Sequence, residues 1–226
     1  MKSSLAERVD YMDKIKLLAV VGPTASGKTS LAVELAKKYN GEVISCDSMQ
    51  IYKDISIGTA KPTAEEMQGV PHHLIDFAEL DESFSVADYA ALAHNAVKEV
   101  SGRGKLPIIC GGTGLYFNSL IDNITFSEAG KDDDYRRLLE ERAEKEGAES
   151  LLAELAVYDE ESAKKLHPSN LKRIIRAMEH YKLTGKTITE QNIESKQKPS
   201  PYEPLIIGIN FHSREKLYDR INKRVD

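Results

Sequence analysis

The chain has 226 residues, of which 41% are apolar and 30% charged, with a formal net charge of −5. That length predicts one or two domains, and the mixture can build a core and is too apolar for a disordered tail. No apolar run approaches the ~20 residues of a membrane helix, and the polar first 16 residues lack the apolar stretch of a secretory signal. The two cysteines, Cys46 and Cys110, are too few for a disulfide scaffold and have no zinc-ligand spacing. A cytoplasmic protein without a membrane partner is expected.

In chain order, the apolar run at 17–21, closed by Gly-Pro, predicts a buried parallel strand. Residues 29–39 place Leu31, Ala32, Leu35, Ala36 and Tyr39 at helical spacing, with Gly41 as the expected C-terminal cap. A second strand is expected over 42–46, a short helix after Thr63, and a short strand over 73–77. An amphipathic helix follows over 85–100, then a strand over 106–110 and a helix over 115–121. Residues 132–191 read as helices only. A Pro/Ser/Lys linker spans 196–204, ahead of a last strand at 205–211 and a helix from Arg214. This order, with the run G-x-x-x-x-G-K-[ST] at 22–29 between the first strand and the first helix, predicts an α/β fold: a P-loop NTPase-like parallel-sheet core formed by 1–124 and 201–226, with an inserted helical domain at 125–200. The charged helical pattern runs to Asp226 without a cap and reads as a chain incomplete at its C-terminus.

A net charge of −5 argues at first against nucleic acid as a partner. The distribution is uneven, however. Residues 163–226 carry 14 basic and 7 acidic side chains, whereas the preceding part carries 17 basic and 29 acidic. Such asymmetry marks either a face for a polyanion or a set of solvated helix surfaces.

Gly22-Pro23-Thr24-Ala25-Ser26-Gly27-Lys28-Thr29 fits G-x-x-x-x-G-K-[ST], with a predicted strand before it and a helix after. In that motif backbone N–H groups and the helix dipole hold a di- or triphosphate, the lysine adds a mobile charge, and the Thr29 hydroxyl can ligate Mg²⁺. The motif does not name the reaction. A kinase or NTPase and a transferase with diphosphate as leaving group both remain open. Asp47 follows the second strand at the edge where open α/β sheets build their sites, and can hold a metal or accept a proton. The third strand brings Gly111-Gly112-Thr113-Gly114 to the same edge. His72 and His73 have no metal-ligand spacing and are read as packing or hydrogen-bonding residues.

The runs GPTASGKT (22–29), DSMQIYKDISIGTAKP (47–62), VPHHLID (70–76), GKLPIICGGTGLY (104–116), LKRIIRAMEHYKLTGK (171–186) and LYDRINKRVD (217–226) resemble, in order, the tRNA dimethylallyltransferase (tRNA isopentenyltransferase) family. The resemblance implies transfer of a dimethylallyl group from dimethylallyl diphosphate to the exocyclic amine of the adenosine on the 3′ side of the anticodon, with release of diphosphate. It implies Asp47 as general base, with Lys28 and Thr113 also in the catalytic set. The diphosphate would be held by residues 22–29 and Arg224, and Mg²⁺ by Thr29. Contacts to the tRNA anticodon stem-loop would come from Asp47, Ser48, Met49, Gln50, Thr113, Arg136, Arg173 and Arg176. A monomer is expected. The alternatives are an adenine-nucleotide prenyltransferase, a small-molecule P-loop kinase, or an RNA-binding protein with a relict loop.

Overall fold

The computed structural model describes residues 14–124, 126 and 130–225, with the side chains of 224 and 225 outside that description. The chain divides into two compact units, one formed by residues up to 123 together with those from 200 onward, the other by 124–199.

The first unit is built on five parallel strands. They are β1 (Ile15–Val21), β2 (Gly41–Ser45), β3 (His72–His73), β4 (Leu106–Gly111) and β5 (Tyr202–Gly208), in the order β3-β2-β4-β1-β5. The central strands are buried on both faces, which is why β1, β2 and β4 read as continuous apolar runs rather than alternating ones. One face packs on α4 (Val86–Gly102) and α5 (Gly114–Ile121), through Tyr89, Ala93, Val97 and Leu120 against Leu17, Ala19, Ile44 and Ile109. The other face packs on α1 (Lys28–Tyr39), where Ala32, Val33 and Ala36 meet Leu18, Val20, Val43 and Ile108. The short helices α2 (Ser56–Thr59) and α3 (Ala64–Met67) lie between β2 and β3.

Three local expectations are corrected. The strand predicted at 73–77 is only the two-residue β3, because Leu74 and Asp76 take left-handed backbone angles (φ 57° and 60°) that end the pairing. The cap of α1 is Asn40 (φ 51°), whose N–H bonds the Ala36 carbonyl. Gly41 instead opens β2, where a Cβ would lie 2.7 Å from the Leu106 carbonyl oxygen. The last strand begins inside the expected linker, since Tyr202 to Pro204 pair with Ile15 to Leu17 before the apolar run starts.

The second unit is helical: α6 (Asp133–Glu146), α7 (Ala148–Tyr158), α8 (Glu160–Lys165), α9 (Leu171–Thr184) and α10 (Ile188–Lys196). Leu139, Leu151, Leu155, Ile174 and Met178 form its core. The chain then returns to the first unit through β5 and ends in α11 (Arg214–Val225). Among the described residues no helix is long and apolar enough to cross a membrane.

The C-terminal edge of the sheet is drawn tight by one glycine. At Gly111 a Cβ would stand 2.0 Å from the Cys46 carbonyl oxygen and 2.8 Å from its Cα, both backbone atoms that have no room to retreat. Gly111→Ala is expected to destabilise the protein by about 1–3 kcal/mol, as other overpacking substitutions do, read as a lower urea midpoint.

The opposite edge is held by charge. Glu42, 3% exposed, accepts hydrogen bonds from His73 Nε2 (2.6 Å), Arg103 Nη2 (2.6 Å) and Lys105 Nζ (2.7 Å). Burial alone would raise its pKa, but the bonds from Lys105, His73 and Arg103 outweigh it and bring the value down from 4.5 to about 2. A carboxyl depressed on folding stabilises above its unfolded value, and that stabilisation is lost as pH falls through the folded value. Glu42→Gln should therefore lower stability at neutral pH and flatten the loss of stability between pH 4.5 and 2, as followed by denaturant titration at each pH.

Candidate active site

The loop from Gly22 to Gly27 joins β1 to α1, and its last residue is the N-cap of α1 at φ 87°. Ala25 also takes a left-handed φ, of 60°, in this loop. No side chain caps α1, in contrast to α4 and α10, whose first turns are closed by Ser85 and Thr187. The first-turn N–H groups of α1 are thus left for an anion, and the helix dipole favours one there. Lys28 Nζ donates to the Pro23 carbonyl at 2.6 Å, which folds the lysine back over the loop. Thr29 follows it in the first turn of α1.

Asp47 stands two residues beyond β2. Its Oδ1 accepts the N–H groups of Met49 (2.9 Å) and Gln50 (3.3 Å), a turn that holds the carboxylate in one orientation. Thr113, at the end of β4, ties the two strand ends together. Its N–H donates to the Cys46 carbonyl (3.1 Å), and its Oγ1 accepts the Ser48 N–H (3.0 Å). Gln50 Nε2 reaches across to the carbonyls of Thr59 and Ala60, both at 3.2 Å, and so anchors the segment containing α2. Met49 is 53% exposed.

These residues meet at one cavity of about 450 Å³, lined by Thr24, Lys28 and Thr29 on one side and by Asp47, Met49 and Gln50 on the other. Ser45 and His72 line it too, and neither Ser45 Oγ nor His72 Nε2 has a partner among the described residues. His72 Nδ1 lies 2.9 Å from the Val70 carbonyl, so the neutral ring carries its proton there. Burial lowers the His72 pKa, with the Val70 bond opposing it only in part. A second cavity of about 750 Å³ shares Lys28 and Thr29 and adds Ser26, Lys61, Arg220 and Lys223. The two cysteines are buried. Burial pushes Cys46 up to about 12 and Cys110 up to about 11, so both stay thiols.

The sequence-predicted residues Thr24, Lys28, Thr29, Asp47, Met49 and Gln50 are therefore brought together, with Ser48 and Thr113 one bond behind Asp47. Arg224 lies outside the described side chains. Sequence reasoning missed Arg220, whose Nε donates to the Ala25 carbonyl at 2.8 Å and so reaches the phosphate loop from α11. The only signal for it was its basic spacing with Lys223 on that helix.

Arg136, Arg173 and Arg176 belong to the second unit. Arg173 and Arg176 line a cleft between α8, α9 and α10 together with Lys165, Lys172 and Lys196, and no acidic side chain lines it. Arg136 and Arg176 also converge on one buried carboxylate, Glu179.

The family model for IPP transferase matches residues 50–226. A tRNA dimethylallyltransferase of Thermoanaerobacter sp. (strain X514) is 51% identical over 213 residues, covering 94% of this chain and 68% of the relative. The crystal structure of the full-length tRNA isopentenylpyrophosphate transferase from Bacillus halodurans superposes with a TM-score of 0.62 at 49% identity, covering 94% of this chain and 65% of that one. A eukaryotic dimethylallyltransferase described as acting on tRNA superposes with a TM-score of 0.77 at 29% identity, covering 93% and 52%. The chain therefore spans about two thirds of its bacterial relatives' length. The family-model match and the identity to these relatives show that the chain belongs to the IPP transferase family.

Proposed function

We propose that this protein transfers a dimethylallyl group from dimethylallyl diphosphate to the exocyclic amine of an adenosine beside the tRNA anticodon. The observation that carries the reading is the shared cavity: the loop that grips a diphosphate and the carboxylate that takes a proton open into the same space. A kinase needs a phosphate donor and an acceptor there. A prenyl transfer needs a leaving diphosphate and a base for an amine, which these residues supply.

The amine nitrogen attacks C1 of the dimethylallyl group. The C1–O bond breaks, and its electron pair leaves on the diphosphate. A neutral aromatic amine is a weak nucleophile, so its proton must depart as the new bond forms, and Asp47 receives it. Oδ1 is held by two backbone N–H groups, which leaves Oδ2 to face the amine. The N–H groups of residues 24–29 and the Lys28 ammonium stabilise charge growing on the diphosphate. Ser48, Met49 and Gln50 sit beside Asp47, where the RNA around the target base would pass.

Among the described residues no cluster of three His, Cys, Asp or Glu side chains could hold a metal. Mg²⁺ is commonly held by one or two protein groups and the substrate's phosphates rather than by such a cluster. The Thr29 hydroxyl would be its protein ligand, and the ion would supply further charge stabilisation to the leaving group. The target base lies in a stacked RNA loop and has to be extracted, as base-modifying enzymes do. Arg173, Arg176 and Arg136 would hold the anticodon stem-loop through its phosphates.

Asp47→Ala should lower turnover by roughly 10²–10⁴ while dimethylallyl diphosphate still binds. Single-turnover transfer of labelled prenyl group to tRNA, beside equilibrium binding of the diphosphate, checks both halves. Transfer to AMP instead of tRNA, or phosphate transfer from ATP, would replace this reading with one of its rivals. Among the described residues the Arg173 side chain has no hydrogen-bond or ion-pair partner, and Arg173→Ala should reduce the salt slope of tRNA binding by about 0.7–0.9. Anisotropy titrations across a salt series measure it.

A further inference from the structure

Glu179 is wholly buried, at 0% exposure, on α9. Its Oε1 accepts from Arg136 Nε (2.7 Å) and from the Asp132 N–H (2.8 Å), while its Oε2 accepts from Arg136 Nη2 (2.6 Å) and Arg176 Nη1 (2.7 Å). Four donors thus saturate one carboxylate. The arginines themselves are not buried. Their side chains are 30% and 44% exposed, and each keeps N–H groups that Glu179 does not use. Burial would raise the Glu179 pKa, but the bonds from Arg136, Asp132 and Arg176 outweigh it and bring the group to about 2, so the charge is permanent at any working pH.

We propose that Glu179 is a positioning and specificity-determining residue for the RNA substrate: it orients the guanidinium groups of Arg136 and Arg176 and cancels one of their two charges. The inference rests on the reading that these arginines meet RNA. Two guanidinium groups around one carboxylate carry a net charge of +1. A freely moving pair would carry +2 and would hold any phosphate backbone. The locked pair presents its remaining N–H groups in set directions, so it rewards an RNA whose phosphates are correctly spaced and gains less from one whose phosphates are not. Asp132 extends the lock. Its Oδ1 accepts the Tyr135 N–H (2.9 Å) at the start of α6, and its Oδ2 accepts from Lys182 (2.8 Å) on α9, so the two helices that carry the arginines are joined twice.

The test compares the intact protein with Glu179→Gln and Glu179→Asp. The readouts are the salt slope of binding to an anticodon stem-loop RNA and to a scrambled RNA, and the steady-state KM for tRNA. Glu179→Gln removes the charge and frees the pair. Its salt slope should steepen by about 0.7–0.9 on both RNAs, as one more phosphate is neutralised, while its KM for tRNA rises roughly tenfold as the geometry is lost. Glu179→Asp keeps the charge and shortens the reach. It should keep the parental slope and still raise the KM. A residue that only holds the fold together would move the melting temperature and leave the slope alone. The KM for dimethylallyl diphosphate, whose proposed site lies in the other unit, is the internal control for folding. If Glu179→Gln does not fold, Glu179→Asp carries the test, and a parental KM in that variant overturns the assignment. An unchanged slope in folded Glu179→Gln also overturns it. If the parent protein itself binds no anticodon stem-loop RNA, the functional reading falls first, and this assignment with it.

Discussion

The contact on which the site depends is the approach of two parallel strand ends, β2 and β4. Gly111 lets the backbone at Cys46 come within a distance that any side chain would forbid. The Thr113 N–H then bonds the Cys46 carbonyl, and the Thr113 hydroxyl accepts the N–H of Ser48. Asp47 sits between those two anchored residues, so its backbone is held on either side before any substrate arrives. The carboxylate is then turned by its own two bonds to Met49 and Gln50. In the proposed role of proton acceptor, a carboxylate placed this way would need little rearrangement during the reaction, which is what preorganisation means in physical terms.

How legible was this in the sequence? The phosphate loop was legible because its parts are contiguous, and its physics needs only a strand before and a helix after. Asp47 and Thr113 are 66 positions apart in the chain. They could be joined only through the rule that parallel strands end at one edge, and the structure does bring them to that edge. The short edge strand β3 was overread, since an apolar stretch carries no sign of the left-handed turns at Leu74 and Asp76. Gly41 was misread as a cap because glycine serves both caps and close strand contacts. The helical second unit was legible from composition, and the fold class from element order.

What stayed hidden has a common character: long-range polar bonds made by residues whose local surroundings look ordinary. Arg220 reaches the Ala25 carbonyl across 195 positions, and Arg136 reaches Glu179 across 43. On a helical pattern each reads as a solvated charge. Among these contacts the 176–179 pair had the clearest local signal, the three-residue spacing that places two side chains on one helix face. Even there, the sequence carries no hint that the glutamate is buried and the arginine is not.

The charge split of the chain acquires a different meaning from these bonds. The acidic part houses the phosphate loop, yet anion binding there draws on N–H groups aimed inward at short range and on Lys28, and distant carboxylates are screened within about 10 Å at ordinary salt. Two of the buried carboxylates, Glu42 and Glu179, are compensated by cations in direct contact. Each therefore acts as a fixed anchor for the arginine or lysine beside it and adds little to the field outside. The basic part works in the opposite way. In the cleft between α8, α9 and α10, the side chains of Lys172, Arg173 and Lys196 have no hydrogen-bond or ion-pair partner among the described residues, and no carboxylate of those residues lines the cleft. Net charge describes neither region, because under the proposed function binding at the loop would be decided by dipoles within a turn of helix and binding at the cleft by which cations lack a partner among the described residues.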